Sequence, residues 1–374
     1  MKIDWWKTKF GEEEIKRVVE TIRNKNLSQG PVTDEFERKL GEYLEIDHVI
    51  AVSNGSISIV LALMALGVGP GDEVIMPNRT WIATAHAVHL LGGKVVLVDV
   101  EEGRPIFDSS LIEEKISSKT KVILPVHMNG RAANMNEIMK IAKKHSLAVI
   151  EDTQSIASKN SKGFLGTQSD IGCYSLAVAK TISTGQGGFV VTRNKILADK
   201  IRAIRNHGVD DVNNVKFWPI PGFNFKFTDV LASIGIEQLK RLPERIKRFC
   251  DLYEIYEDKL VSPDFRPIPV DLNAGEVPIY IEYLVKGRNK KVDDLHDLGI
   301  ETRPFYPSIN AAQYLNKKTN EEHISQYLNK ETKEEDIFIN SLKYEEEGIY
   351  LPSGPDQDLT EIINSIESIN TLSK

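Results

Sequence analysis

Apolar residues at 15, 18, 19 and 22 recur at helical spacing, so 11–24 reads as an amphipathic helix. Residues 33–44 repeat the pattern, and Thr33-Asp34-Glu35-Phe36 has the composition of a helix start. From 48 onward the pattern changes to short apolar runs separated by helical stretches. The runs 48–52, 73–76, 94–100, 121–126 and 147–151 read as strands, and 57–66, 81–91, 111–116 and 135–145 read as helices. This alternation predicts an α/β fold, a doubly wound and mostly parallel sheet flanked by helices. Two more β-rich runs, 171–176 and 189–192, flank a lysine and a glycine-rich turn. Helices are expected over 196–205, 229–239 and 242–260, the last being long enough to bridge two bodies. After about 262 the pattern shifts again, to a strand at 277–285, a helix at 292–298, a rigid polar-aromatic segment at 301–307 and a closing helix at 359–372. Residues 313–325 and 326–338 are near-copies, read as a charged surface duplication because a solenoid needs at least three repeats. The expected division is a large domain over 1–245 and a smaller C-terminal α/β domain over 246–374.

Composition narrows the function classes. At 374 residues, two domains are the default. A net charge of -7 with dispersed Lys and Arg argues against nucleic acid as the main partner. Cys173 and Cys250 are the only cysteines, which gives neither a disulfide framework nor a metal-ligand pattern and fits a reducing cytoplasm. No run approaches the length of a membrane span, and no signal core opens the chain.

In a doubly wound sheet, ligands sit beyond the carboxyl ends of the strands. Asn54 to Ser56, Trp81, His127 and Asp152 all follow strand ends, so one site can gather them. Ser53-Asn-Gly-Ser56 opens a helix, which suits either a phosphate or a plain cap. Trp81 is either a lid over a flat ligand or a packing residue. Asp152 ends an apolar strand, where a carboxylate needs a partner, either a cationic ring nitrogen or a helix N-terminus. Lys180 lies among apolar neighbours. It is either an ordinary loop lysine or an amine with a lowered pKa that acts as a nucleophile.

Ten stretches in order resemble the DegT/DnrJ/EryC1/StrS family of sugar aminotransferases, which have fold type I and use pyridoxal phosphate. Among them are Leu27-Ser-Gln-Gly-Pro31, Ser53-Asn-Gly-Ser56, Thr80-Trp-Ile-Ala-Thr84, Val149-Ile-Glu-Asp152, Asp170-Ile-Gly-Cys-Tyr-Ser175, Lys180 with Thr184-Gly-Gln-Gly-Gly188, and Gly222-Phe-Asn-Phe-Lys226. The resemblance implies pyridoxal 5′-phosphate as cofactor, with pyridoxamine 5′-phosphate as the aminated form. It implies covalent attachment at Lys180, with Asp152 on the ring nitrogen. Gly55, Ser56 and Ser175 would hold the phosphate and Trp81 would stack on the ring. Asn224 would be lent across a homodimer interface to the neighbour's cofactor. Ser155 stands where the family usually has Gln, His or Glu against the ring. Gln186 replaces a usual Glu, and Leu176-Ala177 replace a usual histidine or aromatic. The substrates implied are glutamate and a nucleotide-linked keto sugar, with Lys226, Arg303 and Tyr306 as candidate substrate contacts. The segment from His207 to Asn224 is most similar to the perosamine-type 4-keto-6-deoxyhexose aminotransferases. A 3-keto-sugar aminotransferase, a sugar dehydratase and a non-enzymatic regulator on the same fold are the alternatives; the retained lysine favours transamination over dehydration.

Overall fold

The computed structural model describes residues 2–315 and 338–372. The tandem near-copy at 313–338 therefore lies outside the described residues, apart from its first three positions and its last.

Seven strands form the main sheet in the order His48–Val52, Gly188–Thr192, Ile171–Ser175, Ala148–Gln154, Thr120–Ile123, Glu73–Pro77, Lys94–Val98. Gly188–Thr192 runs antiparallel to both its neighbours, and the other pairings are parallel. Six strands thus end at one edge, which also holds the start of Gly188–Thr192. The strands are apolar on both faces, as a sheet covered on both sides requires. Helix Gly55–Ala65 is buried nearly all round, its residues 58–63 packing with Ile50, Val190 and Ile171.

A second, antiparallel sheet has the order Phe265–Pro267, Ile281–Val285, Gly348–Leu351, Arg303–Pro304. Helices Leu242–Lys259 and Leu359–Thr371 supply its core through Leu252, Tyr256, Ile362 and Ile366. The N-terminus joins this sheet rather than the first. Ile3 bridges to Ile300, and Trp5 and Trp6 pack with Tyr280 and Phe249.

Several local expectations shift. The stretch 111–116 forms two short 3-10 turns, Ser109–Leu111 and Glu113–Lys115, instead of an α-helix. The strand expected at 277–285 begins only at Ile281. The second helix starts at Pro31, because proline at the first helical position costs no hydrogen bond. The first helix, Glu12–Arg23, departs most. Its apolar stripe does not face the core: Ile15, Val19 and Ile22 are 54%, 38% and 50% exposed. The helix instead buries Glu14 and Thr21. Glu14 accepts from Gln238 at 2.6 Å and pairs with Arg241 at 3.1 Å.

Candidate active site

A cavity of about 560 Å³ opens at the carboxyl edge of the main sheet and is closed on its other side by the second sheet. Gly55, Ser56, Trp81, Asp152, Ser175, Lys180, Arg303 and Tyr306 all line it.

The floor begins at the start of helix Gly55–Ala65. Asn54 caps it, its side chain accepting from the Ile57 N–H at 2.9 Å. The N–H groups of Gly55 and Ser56 have no carbonyl within the helix to bond, so they and the helix dipole favour an anion. The end of strand Ile171–Ser175 lies close against this turn. A Cβ on Gly55 would come within 2.7 Å of the Ser175 Cβ, so only glycine lets the Ser175 hydroxyl share the cradle.

Asp152 is 7% exposed and sits within strand Ala148–Gln154 rather than at a helix cap. It accepts from the Thr84 hydroxyl at 2.9 Å and from the Gln154 N–H at 3.2 Å. Burial pushes its pKa up, against the opposing pull of Thr84 and Lys180. Its neighbour Glu151 points to the other face, as strand alternation demands. Glu151 is saturated there by the N–H groups of Gly166 and Gln168, both at 2.8 Å, and by His127 Nε2 at 2.8 Å. The Ala133 N–H donates to His127 Nδ1 at 3.1 Å, so the imidazole proton lies on Nε2 and points at Glu151. His127 is fully buried and does not line the cavity, so its place after a strand end does not bring it to the site.

Lys180 stands in a loop closed at its base. The Leu176 N–H donates to the Gly187 carbonyl at 2.9 Å, and the Thr184 N–H donates to the Leu176 carbonyl at 3.0 Å. Desolvation lowers the lysine's pKa, and the Asp152 charge resists the shift. A half-buried amine and a buried carboxylate lining one cavity mark a reactive site. An anion cradle, a carboxylate and a low-pKa amine in one cavity are the three contacts that pyridoxal phosphate requires, for its phosphate, its ring nitrogen and its aldehyde. The residues present fit that cofactor.

Three expected residues stand elsewhere. Ser155 is turned away from the cavity, its hydroxyl bonded to the Thr181 N–H at 2.9 Å and the Thr181 hydroxyl at 2.7 Å. The side chain that reaches the cavity is Gln154, on the same strand face as Asp152. A register shift between Asp152 and Gln154 and a left-handed φ of 59° at Gln154 mark the strand's end there. Period-two alternation from Asp152 already points to 154 rather than 155. Asn224 is exposed and outside this cavity. Lys226 lines a different depression with Arg202, Arg205 and Gln29. Trp5, Asn129, Tyr280 and Tyr350 line the cavity without having been singled out from the sequence. Trp81 meets the edge of Tyr306, with ring centroids 5.5 Å apart.

A sequence profile of the DegT/DnrJ/EryC1/StrS aminotransferase family matches residues 8–369. GDP-perosamine synthase of Caulobacter vibrioides is 35% identical over 308 residues, covering 80% of this chain and 82% of its own. GDP-perosamine synthase of Escherichia coli O157:H7 is 31% identical over 352 residues, covering 92% and 90%. The solved structure of S. venezuelae DesV superposes with a TM-score of 0.86 at 26% identity, covering 97% of this chain and 94% of that one. With the cradle, carboxylate and amine in place, these findings identify the chain as a member of the DegT/DnrJ/EryC1/StrS aminotransferase family, a transaminase that uses pyridoxal phosphate.

Proposed function

We propose that the enzyme moves an amino group from glutamate to a nucleotide-linked 4-keto-6-deoxyhexose, in the making of an amino sugar for a surface polysaccharide. The observation that carries this is the make-up of the cavity. Its floor bears Lys180 and Asp152, and its outer wall is aromatic and carries Arg303, which lies over Trp5 and pairs with Glu301 at 3.2 Å. Such a wall suits a sugar ring, and Arg303 suits a phosphate. Two relatives named GDP-perosamine synthase, and the similarity of the 207–224 segment to perosamine-type enzymes, favour the 4-keto acceptor.

When bound, pyridoxal phosphate supplies a carbonyl that takes the amino group and a sink for the electron pair of the bond broken at the donor's α-carbon. The helix start at Gly55 and Ser56, with Ser175, holds the phosphate. Asp152 accepts a hydrogen bond from the ring nitrogen and keeps it protonated. Trp81 covers the ring. Lys180 is the point of attachment, and its amine, whose pKa desolvation lowers, takes the proton from the donor's α-carbon. In the second half the same group would act in reverse, taking up the proton that the aminated cofactor carries over and delivering it to the sugar carbon that becomes aminated. Arg303 and Tyr306 contact the nucleotide sugar. In this reading Ser155 acts on the loop that carries Lys180 and Gln154 faces the ligand.

We also infer a homodimer divided, within each subunit, at about 245/246. The exposed stripe Ile15, Val19 and Ile22 and the exposed aromatics Phe217, Trp218 and Phe223 beside Asn224 support it. Asn224 then serves the partner's cofactor.

Incubating the enzyme with pyridoxal phosphate, glutamate and a panel of GDP-, dTDP- and UDP-linked 4-keto and 3-keto sugars tests the proposal. The expected products are 2-oxoglutarate and a 4-amino sugar, from an enzyme that sediments as a dimer. Amination of only the 3-keto sugars, or loss of a sugar hydroxyl in place of amination, would overturn the substrate. A monomer would remove the shared-site reading.

A further inference from the structure

The peptide groups on both sides of Lys180 are held by residues from distant parts of the chain. On one side, the Tyr280 hydroxyl donates to the Ala179 carbonyl at 2.6 Å. On the other, Thr181 is fully buried. Its N–H donates to Ser155 Oγ at 2.9 Å, its hydroxyl to the Ile156 carbonyl at 2.7 Å, and its carbonyl accepts from Arg245 at 3.1 Å. The Thr181 contacts come from the end of a main-sheet strand and from helix Leu242–Lys259. Tyr280 comes from the second sheet, one residue before strand Ile281–Val285. Its ring packs against Trp5, Trp6 and Tyr350, with centroids 5.6, 5.3 and 5.4 Å away. That cluster leaves the hydroxyl little freedom to swing away.

A lysine amine sits at the end of four rotatable bonds. Its reach is only as well defined as the backbone that carries it, and the Ala179–Lys180 peptide plane sets the direction in which the side chain leaves. Among the described residues, the partner of the Ala179 carbonyl is the Tyr280 hydroxyl and not a group of the loop itself.

We propose that Tyr280 is a positioning residue for Lys180. Carried by the second sheet, its hydroxyl fixes the Ala179 carbonyl and so aims the lysine amine into the cavity. This rests on Lys180 being the lysine that carries the cofactor. The two sheets are thereby coupled at the reacting amine: movement of the second sheet away from the first releases the Ala179 carbonyl.

Tyr280→Phe keeps the ring and its packing and removes only the hydroxyl. In the apoprotein, amide hydrogen exchange followed by mass spectrometry reads how far the loop's own N–H groups open once the Ala179 carbonyl loses this partner. The peptide over 176–184 is expected to exchange about tenfold faster, the equilibrium worth of one hydrogen bond. Peptides over 55–65 and 281–285 keep their wild-type rates. In the loaded enzyme, kcat for the glutamate half-reaction falls about tenfold while KM stays within twofold, because direction and not binding is lost. Wild-type exchange over 176–184 overturns the proposal, as does faster exchange with unchanged kcat. Faster exchange spread through 281–285 also overturns it, since it reports a loosened sheet. Lys180→Ala, run alongside, separates the two assignments. If that variant still bonds pyridoxal phosphate covalently, the cofactor lysine is wrong, whereas the apoprotein exchange still decides the Tyr280 bond.

Discussion

The floor of the cavity holds Asp152, Lys180 and the Gly55–Ser56 turn, all at ends of main-sheet strands or in the loops that follow them. The outer wall holds Trp5, Tyr280, Arg303, Tyr306 and Tyr350, from the chain's start and the second sheet. The floor is polar and its charges are desolvated in opposite senses, the carboxylate pushed up and the amine pushed down. The wall is aromatic, and its one cation is stacked on a ring: Arg303 lies over Trp5 at 4.7 Å. In the proposed function, the floor serves the chemistry common to every substrate and the wall chooses one. Floor variants should lower kcat and Arg303 variants should raise KM for the sugar alone, while Tyr280, a wall residue that bonds the Ala179 carbonyl beside Lys180, should act on kcat like the floor.

The largest effect is expected at Lys180. Lys180→Ala should remove the cofactor's lysine-bound absorbance and cost at least ~10³-fold in turnover, as loss of a proton-transferring nucleophile does. Substantial activity with the absorbance intact would move the chemistry off the floor. Asp152→Asn should come next, with kcat down by about 10²–10³-fold, the scale for removing one preorganised electrostatic contact, and KM for the sugar little changed.

The same variant gives a pH test in the apoprotein. Because burial raises the Asp152 pKa, the folded protein binds this proton more tightly than the unfolded chain does. Its contribution to stability is present at low pH and is lost as pH rises through the folded value. Asp152→Asn should thus melt higher than wild type at neutral pH, and the gap should close as pH falls below the ordinary aspartate range. A variant that melts lower at neutral pH would mean that Lys180 stabilises the carboxylate more than burial penalises it. The smallest effect is expected on the wall. Arg303→Gln should raise KM for the nucleotide sugar about tenfold, through loss of a charge-assisted contact, and leave the glutamate half-reaction within twofold. An equal loss in both half-reactions would erase the distinction between floor and wall.

How much of this was legible differs in the same way. Lys180, Asp152 and the 53–56 turn stand out because each is a chemically costly residue or a small-residue turn beside an apolar strand, and strand ends are local features. Asp152 shares its strand with a second buried carboxylate, Glu151. Only the structure shows Glu151 saturated by His127, Gly166 and Gln168, which leaves Asp152 to face the cavity. Ser155 and Gln154 exchange places for a related reason, since neighbours in a strand face opposite ways. The wall was not legible. Tyr280 reaches Ala179 across 101 residues, and Trp5 reaches Glu301 across 296. Neither distance leaves a trace in local periodicity. The Glu12–Arg23 helix carries the same lesson: the spacing of Ile15, Val19 and Ile22 predicts one apolar face but not which way it turns.

By itself, then, the sequence determined the alternation of elements and the mostly parallel sheet, and it marked Lys180 and the strand that carries Asp152 as candidates. These follow from side-chain chemistry and from periods of two and 3.6 residues, which act over a few neighbours. The tertiary structure alone decided which buried carboxylate meets the cavity, which aromatic rings enclose it, and that the second sheet holds the peptide beside Lys180. Those outcomes depend on which face of each element another element covers, and burial is settled by the packing of the whole chain.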